Sequence, residues 1–261
     1  MSTTIDSHAI VSPKAQLGEN VSVGPFSIIE PDVIIGDGTS IASHTLIAHG
    51  TRIGKECAIH HGAVLGTIPQ DLKFHGEMTT LEIGDHTVIR EYATLNRGTH
   101  ERNKTNVGSH CFLMAYSHIA HDCSIGNHVI LANAVNMGGH VQIEDNVVIG
   151  GIVAIHQFSH IGCHAMIGGG FRVTKDVPPY VLAGSEPLSF NGLNIIGMKR
   201  RNFTQKTIDM VESAYKFIYA SQLNVSQAIE KIKSDLPLTE EIKHIVDFNE
   251  KSKRGIIGHR R

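Results

Sequence analysis

The feature that most constrains this 261-residue chain is a period of six. An aliphatic residue occupies every sixth position from Ile5, Val11 and Leu17 onward to Leu65, resumes at Ile83, Ile89 and Leu95, and runs again from Val107 to Val173. Twenty-six of the twenty-nine slots in this phase hold Ile, Val, Leu or Met; only Asp71, Glu77 and Glu101 interrupt it. Chance does not give this when such residues are roughly a third of an ordinary chain. The position four residues after each slot is held to small or short-branched side chains, among them Ala9, Ala15, Ser27, Thr39, Cys57, Ala63, Cys111 and Cys123. A period of six fits no helix at 3.6 residues per turn. It fits short strands whose inward side chains lie two residues apart, each strand followed by a turn, and the frequent glycine after the aliphatic residue suits those turns. This is the signature of a hexapeptide β-helix. Three hexads close a triangular coil, so residues eighteen apart should stack on neighbouring coils at about 4.8 Å.

That frame gives Cys57, Cys111 and Cys123 a packing role in the small inward slot. Residues 67–80 and 96–106 break the repeat but return in phase, so each should loop out from a prism edge, where binding groups commonly sit. The repeat ends at DVPPYVLAGSEP, whose prolines and glycine are expected to stop regular strands. From about Arg201 helical spacing takes over at Ile208, Val211, Tyr215 and Ile218, and recurs at Ile229/Ile232 and Ile242/Ile245/Val246. The expected organisation is a β-helix over residues 1–190 and a helical domain over 191–261 that covers one exposed end of the coil.

Composition removes several classes of function. With 23 basic against 25 acidic side chains, the chain has no electrostatic footprint for nucleic acid. No basic and apolar leader opens it, and no run of eighteen apolar residues spans a membrane, so a cytoplasmic location is expected. Four cysteines without a CxxC pair argue against a disulfide framework or a structural zinc ribbon. The 18 histidines stand out beside an absence of tryptophan.

Stacking at eighteen residues sorts those histidines. His121, Gly139 and Gln157 fall in one column, Asp122, His140 and Phe158 in the next, and Ala120, Gly138 and His156 in the one before. A histidine beside a carboxylate, with bare glycine backbone one coil away, has the parts of a general base, an orienting group and an oxyanion-binding N–H. His118 belongs to the same edge. His8, His44, His86, His110, His128 and His164 all sit three residues after an aliphatic slot and read as turn residues. Zinc ligation by His118/His121 or by His156/His160/His164 is the competing use, although the latter three occupy different repeat slots and should point apart. Gly151 and Gly169, eighteen apart, leave a strip without side chains that an extended apolar chain could follow. Lys199, Arg200 and Arg201 form a basic run suited to phosphate or an acidic partner, and Asp71 and Lys73 sit in a loop where the repeat would demand otherwise.

Several segments together resemble one family: IPQDLKFHGE at 68–77, HIAHDC at 118–123, GGH at 138–140, HQF at 156–158, DVPPYV at 176–181 and GLNIIGMKRRNF at 192–203. They are similar, in order and over essentially the whole chain, to the acyl-carrier-protein:UDP-N-acetylglucosamine O-acyltransferases that begin lipid A synthesis. The resemblance implies a left-handed parallel β-helix with a C-terminal α-helical domain, a homotrimer, and active sites between subunits. It implies that His121 is the general base for attack of the sugar 3-hydroxyl on a 3-hydroxyacyl thioester, that Asp122 supports it and that the Gly139 N–H receives the oxyanion. It places His118, His140, His156, Gln157, Asn194, Arg200 and Arg201 on the substrates, Asp71 and Lys73 near the acyl 3-hydroxyl, and Gly169 where acyl length is gauged. GSEPL at 184–188 departs from the family pattern in lacking a histidine. No metal or other cofactor follows from this chemistry. The implied partners are UDP-N-acetylglucosamine and an acidic acyl carrier protein, which Lys199–Arg201 and Arg97, Arg102 and Lys104 could steer.

Two other readings use the same architecture. A zinc enzyme of the gamma-type carbonic anhydrase kind predicts loss of activity with chelator, and a non-catalytic scaffold leaves the HDC patch incidental. The sibling N-acyltransferase places a globular domain before its repeats, whereas here the repeat starts at Ile5.

Overall fold

A computed structural model of the chain describes residues 2–259, so the Met1 end of the expected β-helical domain and the last two residues of the helical one, Arg260 and Arg261, lie outside the described residues. Short strands, most of two residues, recur every six positions and stack as three parallel sheets that form the faces of a triangular prism. Face one begins with Thr4–Ile5, face two with Ile10–Val11 and face three with Gln16–Leu17. Register is eighteen residues wherever no loop intervenes, as in His118 opposite Asn136 and Asn136 opposite Ala154. Thirty residues separate the partners Val64 and Thr94, and twenty-four separate Thr94 and His118. The two excursions are therefore whole hexads, which is why the inward phase survives them, and both leave from the edge between faces two and three.

The aliphatic slots line the prism interior: Ile29, Ile59, Leu95, Leu113, Ile119 and Leu131 are all buried. Cys57, Cys111 and Cys123 are buried with them, their thiols donating to the carbonyls of Gly84, Gly126 and Gly138. Burial pushes the Cys111 thiol up to about 11 and the Cys123 thiol up to about 12, so neither is a nucleophile. The position three after each aliphatic slot carries the turn. There His44, His86, His110, His128 and His164 adopt φ between 54° and 58°, the left-handed region that Asn, Asp and His enter more readily than most residues. His86, His110 and His128 stack ring on ring with centroids 4.8 Å apart, the spacing of the coils. Because the interior is one continuous column, Leu113→Ala should lower unfolding stability by about 2–5 kcal/mol, read as a drop in the urea midpoint; an unchanged midpoint would contradict a close-packed column.

Two expectations need correction. Strand structure does not stop at the prolines: Val181–Gly184 extends face one, pairing Met166 with Leu182 at a spacing of sixteen residues, before turning back antiparallel on Ser189–Leu193. The prolines shorten the last coil without ending it. Helix also starts earlier than Arg201, with α1 at Ile195–Arg200, followed by α2 at Gln205–Tyr215, a π-helical turn at Lys216–Ala220, α3 at Val225–Asp235 and α4 at Glu240–Lys251. Asn194, Thr204, Asn224 and Thr239 cap the four α-helices through their side chains. The helices pack on the final coils through buried Tyr215, whose hydroxyl donates to the Pro179 carbonyl at 2.6 Å, and through Phe248, which lies over His160 at 4.4 Å. Among the described residues no helix is long and apolar enough to cross a membrane.

Candidate active site

The predicted column forms at the edge between faces two and three. His121 follows the strand His118–Ile119, and Asp122 takes the left-handed turn position with φ 59°. Neighbouring residues on a straight strand would point to opposite faces. The turn instead swings Asp122 back, so that its Oδ2 lies 2.8 Å from His121 Nδ1. With that nitrogen donating to the carboxylate, Nε2 is left as the free acceptor of the ring. The Gly139 α-carbon lies directly against it: a Cβ built there would fall 2.6 Å from His121 Cε1 and 2.7 Å from Nε2. Gly139 is buried, and among the described residues its N–H donates to no acceptor, which leaves it able to receive an oxyanion.

The 96–106 excursion proves to be the clamp on Asp122, which the sequence did not reveal. Thr99 donates its backbone N–H to Oδ1 at 3.0 Å and its hydroxyl to Oδ2 at 2.7 Å, and Arg102 donates to the Asp122 carbonyl at 3.1 Å. The Asp122 N–H donates in turn to Thr105 Oγ1 at 2.8 Å. Although Asp122 is fully buried and burial alone would raise its carboxyl, the hydrogen bonds from His121 and Thr99 hold it below the usual carboxylate range. Only the acid in a turn slot of the His121 edge hinted at this; nothing in the sequence marks Thr99. Of the side chains expected to steer a carrier, Arg97 lies over the Phe74 ring and donates to the His49 carbonyl, while Arg102 and Lys104 are exposed, Lys104 pairing with Glu82 at 2.8 Å.

His140 stands edge-on to His121 with centroids 5.2 Å apart and stacks on Phe158 at 4.5 Å. Burial lowers its basicity, as it does that of His118, which lies 2.7 Å from Thr94 Oγ1. His156 and Gln157 are exposed one coil further along. Asp71 and Lys73 lie in the larger excursion from the same edge, where Asp71 Oδ1 accepts the Lys73 N–H at 3.0 Å.

The remaining candidates lie elsewhere in the chain. Gly169 is in an exposed turn between faces one and two, stacked on Gly151, whose carbonyl oxygen would lie 3.0 Å from an added Cβ. Asn194 belongs to the third edge: its side chain caps α1 by accepting the Gly197 N–H and donates to the His164 carbonyl at 2.9 Å. Arg200 and Arg201 extend from there, exposed, with no ion pair among the described residues. Three groups that could ligate a metal, on His121, Asp122 and His140, lie within 4.8 Å of one another. The Asp122 oxygens accept three hydrogen bonds there, two from Thr99 and one from His121.

The coil of hexapeptides, with a histidine–carboxylate pair facing bare backbone, defines a hexapeptide-repeat transferase. A profile described as bacterial transferase hexapeptide matches residues 14–49 and 104–139, and one described as UDP N-acetylglucosamine O-acyltransferase, domain 2, matches residues 176–257. The acyl-[acyl-carrier-protein]–UDP-N-acetylglucosamine O-acyltransferase of Thiobacillus denitrificans is 44% identical over 97% of this chain and 99% of its own length; that of Halorhodospira halophila is 44% identical over 98% and 99%. Crystal structures of the Bacteroides fragilis and Acinetobacter baumannii enzymes each superpose with a TM-score of 0.94 at 45% identity, covering 97% of this chain and 99% of theirs. The chain belongs to the acyl-[acyl-carrier-protein]–UDP-N-acetylglucosamine O-acyltransferase family, and its fold is the left-handed parallel β-helix with a small helical C-terminal part.

Proposed function

We propose that the protein transfers a 3-hydroxyacyl group from acyl carrier protein to the 3-hydroxyl of UDP-N-acetylglucosamine, the opening step of lipid A synthesis. The observation that carries the reading is the His121–Asp122 pair set against the unpartnered N–H of buried Gly139, in a chain of this family. His121 Nε2 takes the proton of the sugar hydroxyl as its oxygen attacks the thioester carbonyl, and the Gly139 N–H receives the negative oxygen that forms. Collapse of the tetrahedral intermediate breaks the carbon–sulfur bond, and the proton held by His121 passes to the departing thiolate. The activated thioester supplies the driving force, so neither a metal nor another cofactor has a task in these steps. Asp122 fixes the ring orientation and stabilises the imidazolium, as carboxylates do in related catalytic pairs.

The rest of the assignment follows the division of groups between edges. His118, His140, His156 and Gln157 share the His121 edge or the face beside it, whereas Asn194, Arg200 and Arg201 are on another. A second copy that laid its Arg200/Arg201 edge against His121 would complete the site, which favours a homotrimer with intersubunit active sites and the arginines on the nucleotide phosphates. Asp71 and Lys73 attend the acyl 3-hydroxyl, and the Gly151–Gly169 strip carries the acyl chain. Residues 1–190 and 191–261 act as prism and helical cap, and the cytoplasm, where carrier-bound acyl chains are made, is the location. Incubation with UDP-N-acetylglucosamine and a series of 3-hydroxyacyl carrier proteins should give a 3-O-ester with one preferred chain length. Absence of product with every donor would overturn the proposal.

A further inference from the structure

On face three, at its border with face one and so across from the His121 edge, coil and helix meet around a single carboxylate. Glu144 Oε2 lies 2.6 Å from Nε2 of His244 on α4 and accepts the Cys163 N–H at 2.8 Å, while Oε1 lies 2.8 Å from His160 Nε2. The Cys163 sulfur, a His244 ring nitrogen and a Glu144 oxygen all lie within 4.8 Å of one another. A groove of about 680 Å³ along face three ends on these side chains, so in the single chain the cluster is reached from solvent. The acyl transfer described above gives none of them a task.

We propose that Glu144, Cys163 and His244 form a binding site for a zinc-like divalent cation that clips α4 to the last coils. One thiolate, one imidazole and one carboxylate are the donor set of a borderline-soft ion; magnesium and calcium prefer oxygen alone. Bond lengths of about 2.0–2.3 Å to a tetrahedral ion place its ligand atoms about 3.3–3.6 Å apart. His244 and Glu144 need open by less than an ångström to admit it. A water completes the fourth position, and His160 is a positioning residue that holds the other carboxylate oxygen. On binding, the thiol proton and any proton on His244 leave to solvent, so uptake weakens as pH falls.

Cobalt(II) titration of the full-length protein, first stripped with chelator, tests this. A thiolate-to-cobalt charge-transfer band should saturate at one ion per chain and be displaced by zinc. It should vanish in Cys163→Ser and weaken roughly 10–100-fold in affinity in His160→Ala. His121→Ala should leave it unchanged, which separates this site from the sulfur-free His121, Asp122 and His140 group. Should Cys163→Ser fail to fold, His244→Gln on the half-exposed face of α4 reads the same loss. No band at saturating cobalt, or a band that survives the loss of Cys163 or of His244, overturns the site. Either result leaves the acyl-transfer proposal untouched, since the readout is metal binding alone.

Discussion

His121→Ala should fold as the parent does and lose between about 100-fold and 10,000-fold in kcat, the range for removing a general base. Folding should survive because the turn does not depend on the imidazole. The Asp122 carboxylate keeps both hydrogen bonds from Thr99, its backbone N–H keeps Thr105, and the coil hydrogen bond from His140 N to the His121 carbonyl uses only backbone. A carboxylate is a weaker base than an imidazole, and Thr99 still donates to both Asp122 oxygens, so Asp122 does not replace the lost base. KM for UDP-N-acetylglucosamine should move far less than kcat, since a base acts in the transition state more than in the ground state. Added imidazole should restore part of the rate in the vacated space. A raised KM with kcat preserved would instead make His121 a binding residue, and steady-state kinetics on the purified variant distinguish the two.

The amount of this site that was legible in the sequence follows from the fold's periodicity. In a chain whose neighbours are eighteen residues apart, stacking is arithmetic, and so His121, Gly139 and Gln157 could be put on one edge before any coordinates. The pairing of His121 with Asp122 depended on a bend that period-two alternation argues against, and it became clear only with the positive φ at Asp122. Thr99 was invisible for another reason. It lies in an excursion that has left the repeat, so no register rule reaches it. The proline-rich exit was misread because local strand preferences were weighed against a tertiary context in which the last coil simply shortens.

Gly139→Ala should cost about 100-fold in kcat while leaving the prism folded, although it adds a single methyl group to a residue that keeps its N–H. Gly139 does not occupy the left-handed region, so alanine meets no backbone penalty. The three atoms nearest an added Cβ all belong to the His121 ring. A Cβ at 2.6 Å from Cε1 and 2.7 Å from Nε2 of His121 is closer than real side chains approach, and the Gly139 backbone is tied to the next coil by the Phe158 N–H to its carbonyl at 3.1 Å. The imidazole must therefore yield, either lengthening its 2.8 Å contact with Asp122 or turning Nε2 out of line. Misplacement of a catalytic group by about 1 Å is worth roughly 100-fold. Gly138→Ala is the control, because its Cβ would meet Gln157 at 3.0–3.3 Å and not the imidazole, and its loss should be much smaller. Equal effects from the two substitutions would mean that the coil is being disturbed as a whole, and that close approach of bare backbone to His121 has no special part in the reaction.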